Sequence, residues 1–211
     1  MTRSLAQFVS VVFHPLFMPS ALFAILLYGA PEVLGLENIQ GKTMLMGFIF
    51  VYTTVFPALL IGWMARQGLI QSIQLKQLKD RGLPYVSTAL LYAFFAVFIG
   101  YQTRLMWYAA WMLGGTATVI ACLGIISLKW QISAHAAGIG GVIGVLGWIN
   151  LLIDHPLIWI IWLISLPIAG LVMSARLSLN AHTPAQVWAG GFLGLVVQTI
   201  FVAWVMPSPL G

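Results

Sequence analysis

Long apolar stretches alternate with short polar segments along the whole chain. Seven stretches, at roughly 8–29, 43–65, 85–102, 105–127, 134–153, 157–173 and 184–206, approach the ~20 mainly apolar residues that a bilayer-crossing helix needs. Barrel strands would be half as long and would alternate in polarity, which these runs do not, so the pattern predicts helices. The first stretch follows Arg3 as a secretory signal would, but its apolar run continues through Leu27 without a small-residue cleavage site, which predicts a span. His14, Pro15 and Pro19 inside it predict a kink or a re-entrant shape. The expected fold is an all-α integral membrane protein, a bundle of six or seven transmembrane helices, with residues 1–211 forming a single transmembrane domain.

Composition narrows the possible functions. Hydrophobic residues make up 61% of the chain and charged ones 6%, against about 25% charged in a soluble domain. A soluble enzyme on one anchor is therefore excluded, as are a disordered tail and a nucleic-acid-binding arm, despite the net charge of +5. Cys122 is alone, so no intrachain disulfide can form.

The charges are sorted by face. Arg66, Lys76, Lys79, Asp80 and Arg81 fall between the second and third spans, Lys129 between the fourth and fifth, and Arg176 between the sixth and seventh. Two crossings separate each of these loops from the next, and also separate Arg3 from the first, so all open on one side. Only Lys42 and Arg104 lie on the other. The positive-inside rule assigns the crowded side to the cytoplasm.

The odd-numbered spans from the third onward begin on this basic face with residues suited to helix starts: Pro84, Ser133 and Thr183-Pro184. Three sets of free N–H groups and three positive dipole ends then point toward one region that also holds cationic side chains, an arrangement suited to phosphate. The starts are evenly spaced, yet the segments are dissimilar and are not a repeat. His135 lies in the first turn after Ser133, and His182 immediately precedes Thr183-Pro184. Arg176 and His182 are about 240° apart on a helix, so a turn must bring them together. A lone interfacial lysine or histidine is ordinarily an anchor or a hydrogen-bonded structural residue. Two histidines, Ser133, Arg176 and a Lys/Arg cluster on one face of so apolar a chain form a functional candidate.

These residues resemble the three-part signature of the type 2 phosphatidic acid phosphatase family, which includes lipid phosphate phosphatases. The family shows Lys, six residues, Arg-Pro; then Pro-Ser-Gly-His; then Ser-Arg, five residues, His, three residues, Asp. Here Arg176 is followed after five residues by His182, with Ser174 displaced one position by Ala175. The second part stands as Ile132-Ser133-Ala134-His135. The first is loose: Lys76 has Pro84 at the expected distance and Leu83 where Arg should precede it, with Lys79, Asp80 and Arg81 nearby. The resemblance spans residues 76–194. It departs most at Gln186, which stands where the family has the Asp that orients the nucleophilic histidine.

The resemblance implies hydrolysis of a lipid phosphate monoester or diphosphate through a phosphohistidine. His182 would attack phosphorus, and His135 would protonate the leaving oxygen and then activate water. Gln186 would accept the imidazole N–H in place of the Asp, leaving a weaker nucleophile that Gln186→Asp should improve. Lys76, Lys79, Arg81, Lys129, Ser133 and Arg176 would bind phosphate. No metal or cofactor is implied, and the partner is a lipid phosphate substrate within the membrane, with no nucleic acid. Gly140 and Gly144, with Gly190 and Gly194, form small-xxx-small pairs that would draw the fifth and seventh helices together. The alternative is a non-catalytic lipid-phosphate binder or transporter that keeps the anion pocket. A His-ligated metal or haem site is weaker, because Asp154 and His155 lie across the membrane. The expected location is a bacterial cytoplasmic membrane; charge counting puts the site inside, the resemblance on a periplasmic or lumenal face. Neither the particular lipid nor the oligomeric state is encoded in a recognisable motif.

Overall fold

The structure, a computed structural model, describes residues 1–75, 77–102 and 106–206. The α-helices in it are α1 (Arg3–Val12), α2 (Met18–Gly29), α3 (Ile39–Phe50), α4 (Phe56–Arg66), α5 (Gly82–Gln102), α6 (Trp107–Ile126), α7 (Ala134–Leu152), α8 (Pro156–Ser178) and α9 (Pro184–Val205). Among the described residues there is no strand, and seven helical segments are long and apolar enough to cross a membrane. The chain is an all-α integral membrane protein. Large apolar side chains such as Phe94, Trp188 and Phe192 are exposed around its outside, as lipid contact requires.

Prolines break the first two spans, each with a local cause. His14 adopts an extended conformation ahead of Pro15, as steric conflict with the proline ring demands, and its Nδ1 accepts from the Leu16 N–H at 3.3 Å. The first span is thus α1, a short 3₁₀ turn (Pro15–Phe17) and α2. A π-helical turn (Val51–Val55) joins α3 to α4. Pro57 has no N–H to return to the Thr53 carbonyl, and the Tyr92 hydroxyl of α5 donates to that oxygen at 2.6 Å. The sixth span runs farther than its apolar core suggests: α8 continues to Ser178 and carries Arg176 in its last turn.

Packing runs α5 on α6, α6 on α9, α9 on α7, α7 on α8 and α8 on α1. The α7/α9 contact is the closest because glycine removes the spacers. A Cβ on Gly194 would strike the Ala137 carbonyl, and one on Gly140 the Gly191 carbonyl. This approach brings the start of α7 beside the start of α9, where the Ser133 N–H donates to the Gln186 carbonyl at 3.2 Å.

A candidate anion-binding cavity at the basic end of the bundle

Two helix caps set the local frame. Ser133 caps α7, its Oγ accepting from the Ala136 N–H at 3.3 Å. Thr183 caps α9 in a reciprocal box: its Oγ1 accepts from the Gln186 N–H at 3.4 Å, and Gln186 Oε1 accepts from the Thr183 N–H at 3.1 Å. The loop between α8 and α9 reverses through Asn180, at φ 52°, a left-handed conformation that asparagine tolerates. That turn carries His182 back toward α7.

His182, His135, Arg176 and Arg81 all line one cavity of about 180 Å³ at this end of the bundle. His182 Nδ1 lies 2.9 Å from the Gln131 carbonyl. A carbonyl only accepts, so Nδ1 carries the proton and Nε2 the lone pair. Burial pushes this imidazole down to about 4; the Gln131 carbonyl and the Gln186 side chain oppose the shift, while the charges of Arg176 and Arg81 add to it. His182 is therefore neutral at ordinary pH. Arg176 donates from Nη1 to Ser10 Oγ at 3.1 Å, while its Nε is buried without a hydrogen bond. Arg81, 6% exposed, donates from Nε to the Leu75 carbonyl at 2.9 Å and from Nη1 to the Ile132 carbonyl at 3.2 Å.

The electrostatic balance of this end is uneven. Among the described residues neither guanidinium forms an ion pair; the His155–Glu32 pair lies at the opposite end of the bundle. Asp80, next to Arg81 in sequence, is buried with Oδ2 unbonded, but it neither pairs with Arg81 nor lines the cavity. Buried cations without a counter-charge are costly, and an anion in the cavity would offset that cost.

Below the charged mouth the lining becomes apolar. Leu22, Val119, Ile120 and Val142 face the cavity, and it reaches Tyr92, about 16 Å below Arg81 by helical rise. A charged mouth above an apolar interior suits a phosphate carried on a hydrocarbon chain.

Several residues expected to bind phosphate lie outside the lining of this cavity. Ser133 is fully buried and its hydroxyl serves as a helix cap, so it does not line the cavity. Lys79 and Lys129 are exposed and point to the surroundings of the bundle end rather than into the cavity, as long solvated side chains at helix ends do. Lys76 lies outside the described residues. Gln186 reaches His182, but its Oε1 is engaged by the α9 cap, and the Gln131 backbone carbonyl is the hydrogen-bond partner of Nδ1.

Three contributors are not among the sequence-derived candidates. Ser10 touches both Arg176 and His135, whose Nε2 lies 3.0 Å from the Ser10 carbonyl. His14 lines the cavity and packs edge-to-face on His135, ring centroids 5.5 Å apart. Tyr85 lines it from α5. An intramembrane histidine beside a proline was a usable signal for His14; Ser10 and the Gln131 carbonyl had none. Among the described residues no group of three His, Cys, Asp or Glu is placed to hold a metal ion. In comparisons with known proteins, no family model, no curated protein and no solved structure matches the chain.

Proposed function

We propose that the chain is a membrane lipid-phosphate phosphatase that hydrolyses a phosphate monoester or diphosphate through a phosphohistidine on His182. The observation that carries this reading is the meeting, in one cavity, of two guanidiniums without carboxylate partners among the described residues and an imidazole whose Nδ1 bonds to a backbone carbonyl, which leaves the lone pair on Nε2. The resemblance of Arg176, His182, Ser133 and His135 to the type 2 phosphatidic acid phosphatase signature supports the same reaction.

Phosphoryl transfer needs in-line positioning and charge stabilisation more than covalent help. Arg176 and Arg81 hold the phosphate oxygens, and the start of α7 turns its N–H groups toward the same end. His182 Nε2 attacks phosphorus; the N–P bond forms as the bond to the lipid oxygen breaks, and His135, which takes up a proton from water as the anion binds beside it, gives that proton to the oxygen. His135, now neutral, takes a proton from water as the water oxygen bonds to phosphorus. The N–P bond breaks, its electron pair returns to His182, and phosphate leaves. The apolar depth of the cavity receives the chain of the substrate, within a bacterial cytoplasmic membrane. The Gln131 carbonyl keeps His182 in the attacking tautomer, though it lacks the full charge of a carboxylate, so turnover is slower than with an Asp partner.

The engagement of Gln186 in a helix cap favours a second reading, a lipid-phosphate binder or transporter. Phosphate release from a panel of lipid phosphates in detergent, by wild type and His182→Ala, separates the two. A hydrolase loses about a thousandfold or more in rate on losing its nucleophile. Equal background release by both proteins, with lipid binding retained, would favour the binder.

A further inference from the structure

We propose that Ser10 is a positioning residue for this site: it grips His135 and Arg176 together and makes Nδ1 the reactive nitrogen of His135. The inference rests on the phosphatase reading above, but its geometry is separate from the signature segments. Ser10 lies in α1, 8% exposed, well away in sequence from both groups it touches.

The break in the first span creates the grip. At the end of α1 the Phe13 N–H goes to the Val9 carbonyl at 2.9 Å and the His14 N–H to the Val11 carbonyl at 3.3 Å, while Pro15 has no N–H to offer. The Ser10 carbonyl is one of the helix-end acceptors left without a backbone donor, and His135 Nε2 meets it at 3.0 Å. Because that oxygen only accepts, Nε2 carries the proton and the Nδ1 lone pair is left for chemistry. The Ser10 hydroxyl, one bond path away, accepts from Arg176 Nη1 at 3.1 Å. The carbonyl end of a helix is also the negative end of its dipole, which favours a guanidinium and an N–H donor beside it. In the second half-reaction the proton of the attacking water therefore passes to His135 Nδ1, with the Nε2–H bond to Ser10 unbroken. In the first, it is likewise a proton on Nδ1 that goes to the departing lipid oxygen.

The test uses the full chain in detergent and two independent measurements. Ser10→Ala removes the hydroxyl and keeps the carbonyl, so binding of inorganic phosphate, followed by calorimetry, should weaken about tenfold, the usual scale for a hydrogen bond to a charged group. Ser10→Thr should restore it. Nitrogen-15 NMR of the histidines, with His135 assigned by its loss in His135→Gln, should show Nε2–H and an unprotonated Nδ1. Pro15→Ala, which lets the His14 N–H reach the Ser10 carbonyl, should disturb that signature. An Nδ1–H tautomer for His135, or Ser10→Ala binding phosphate as wild type does, overturns the proposal, as does a loss of melting temperature with no change in phosphate affinity. Absence of phosphate release by wild type would instead strike at the phosphatase reading, and the tautomer would still decide the role of Ser10.

Discussion

The two ends of the bundle hold the same kinds of side chain in opposite electrical conditions. At one end His155 Nε2 and Glu32 Oε1 lie 3.4 Å apart, with Glu32 half exposed. A carboxylate stands beside the imidazole there, and water shares the work, so the pair is worth no more than about 1 kcal/mol. At the other end Arg81 is buried and Arg176 half-buried, with carbonyl and hydroxyl partners and no carboxylate among the described residues, and three imidazoles line the same cavity. A histidine beside a charge is thus ordinary in one place and a site in the other. The difference lies in whether the charge has been left uncancelled where an anion can reach it.

Perturbing the uncancelled end should cost most. Arg176→Ala should weaken phosphate binding or slow phosphate release about a hundredfold, measured by calorimetry and by lipid phosphatase assay; a change under threefold would mean its charge does not meet the substrate. Gly194→Val forces a side chain into the Ala137 carbonyl, should lower stability by about 1–3 kcal/mol in a thermal melt, and should reduce activity with it.

Acid gives a smaller effect with a fixed sign. His182 in the folded chain is held down to about 4 by burial, whereas the unfolded chain takes up that proton near 6.5. The unfolded state then binds more protons as pH falls from about 6.5 to about 4, so stability declines across that window, and His182→Asn should flatten the decline. His182 also stays neutral throughout ordinary pH, so an acid limb near pH 6 in the rate would belong to another group.

Gln186→Asp tests how well a carbonyl substitutes for a carboxylate. With the Gln131 carbonyl already at Nδ1, the rate should rise by no more than about threefold; a rise of tenfold or more would make Gln186 the principal orienting group. Glu32→Gln, at the end that holds His155, should change the melting free energy by less than about 1 kcal/mol and leave phosphate release as it is.

The fold is largely legible in the chain because the bilayer imposes length and polarity on every span. Legibility fails at helix ends. Arg176 looks like a loop residue by polarity, yet α8 extends to Ser178, because a long side chain can reach a polar cavity from inside a helix. For the site, His135, His182 and Arg176 are recognisable as chemistry-bearing groups at or beside helix ends, and they do line one cavity. Lys79 and Lys129 carry the same signal and face outward. Charge and sequence position cannot tell a cation that lines a cavity from one that anchors an interface.

The sequence by itself determined that the protein lives in a membrane, that helices cross it, and that cations and histidines collect at one end, since these follow from composition and from the spacing of polar residues along one dimension. Only the tertiary structure decided which of those groups meet. Glycine contacts between α7 and α9, the turn at Asn180 and the proline break after α1 place them, and the orienting acceptors are backbone carbonyls of Ser10 and Gln131. Every residue has such a carbonyl, so its availability depends on where the chain stops pairing with itself, which no side-chain pattern records.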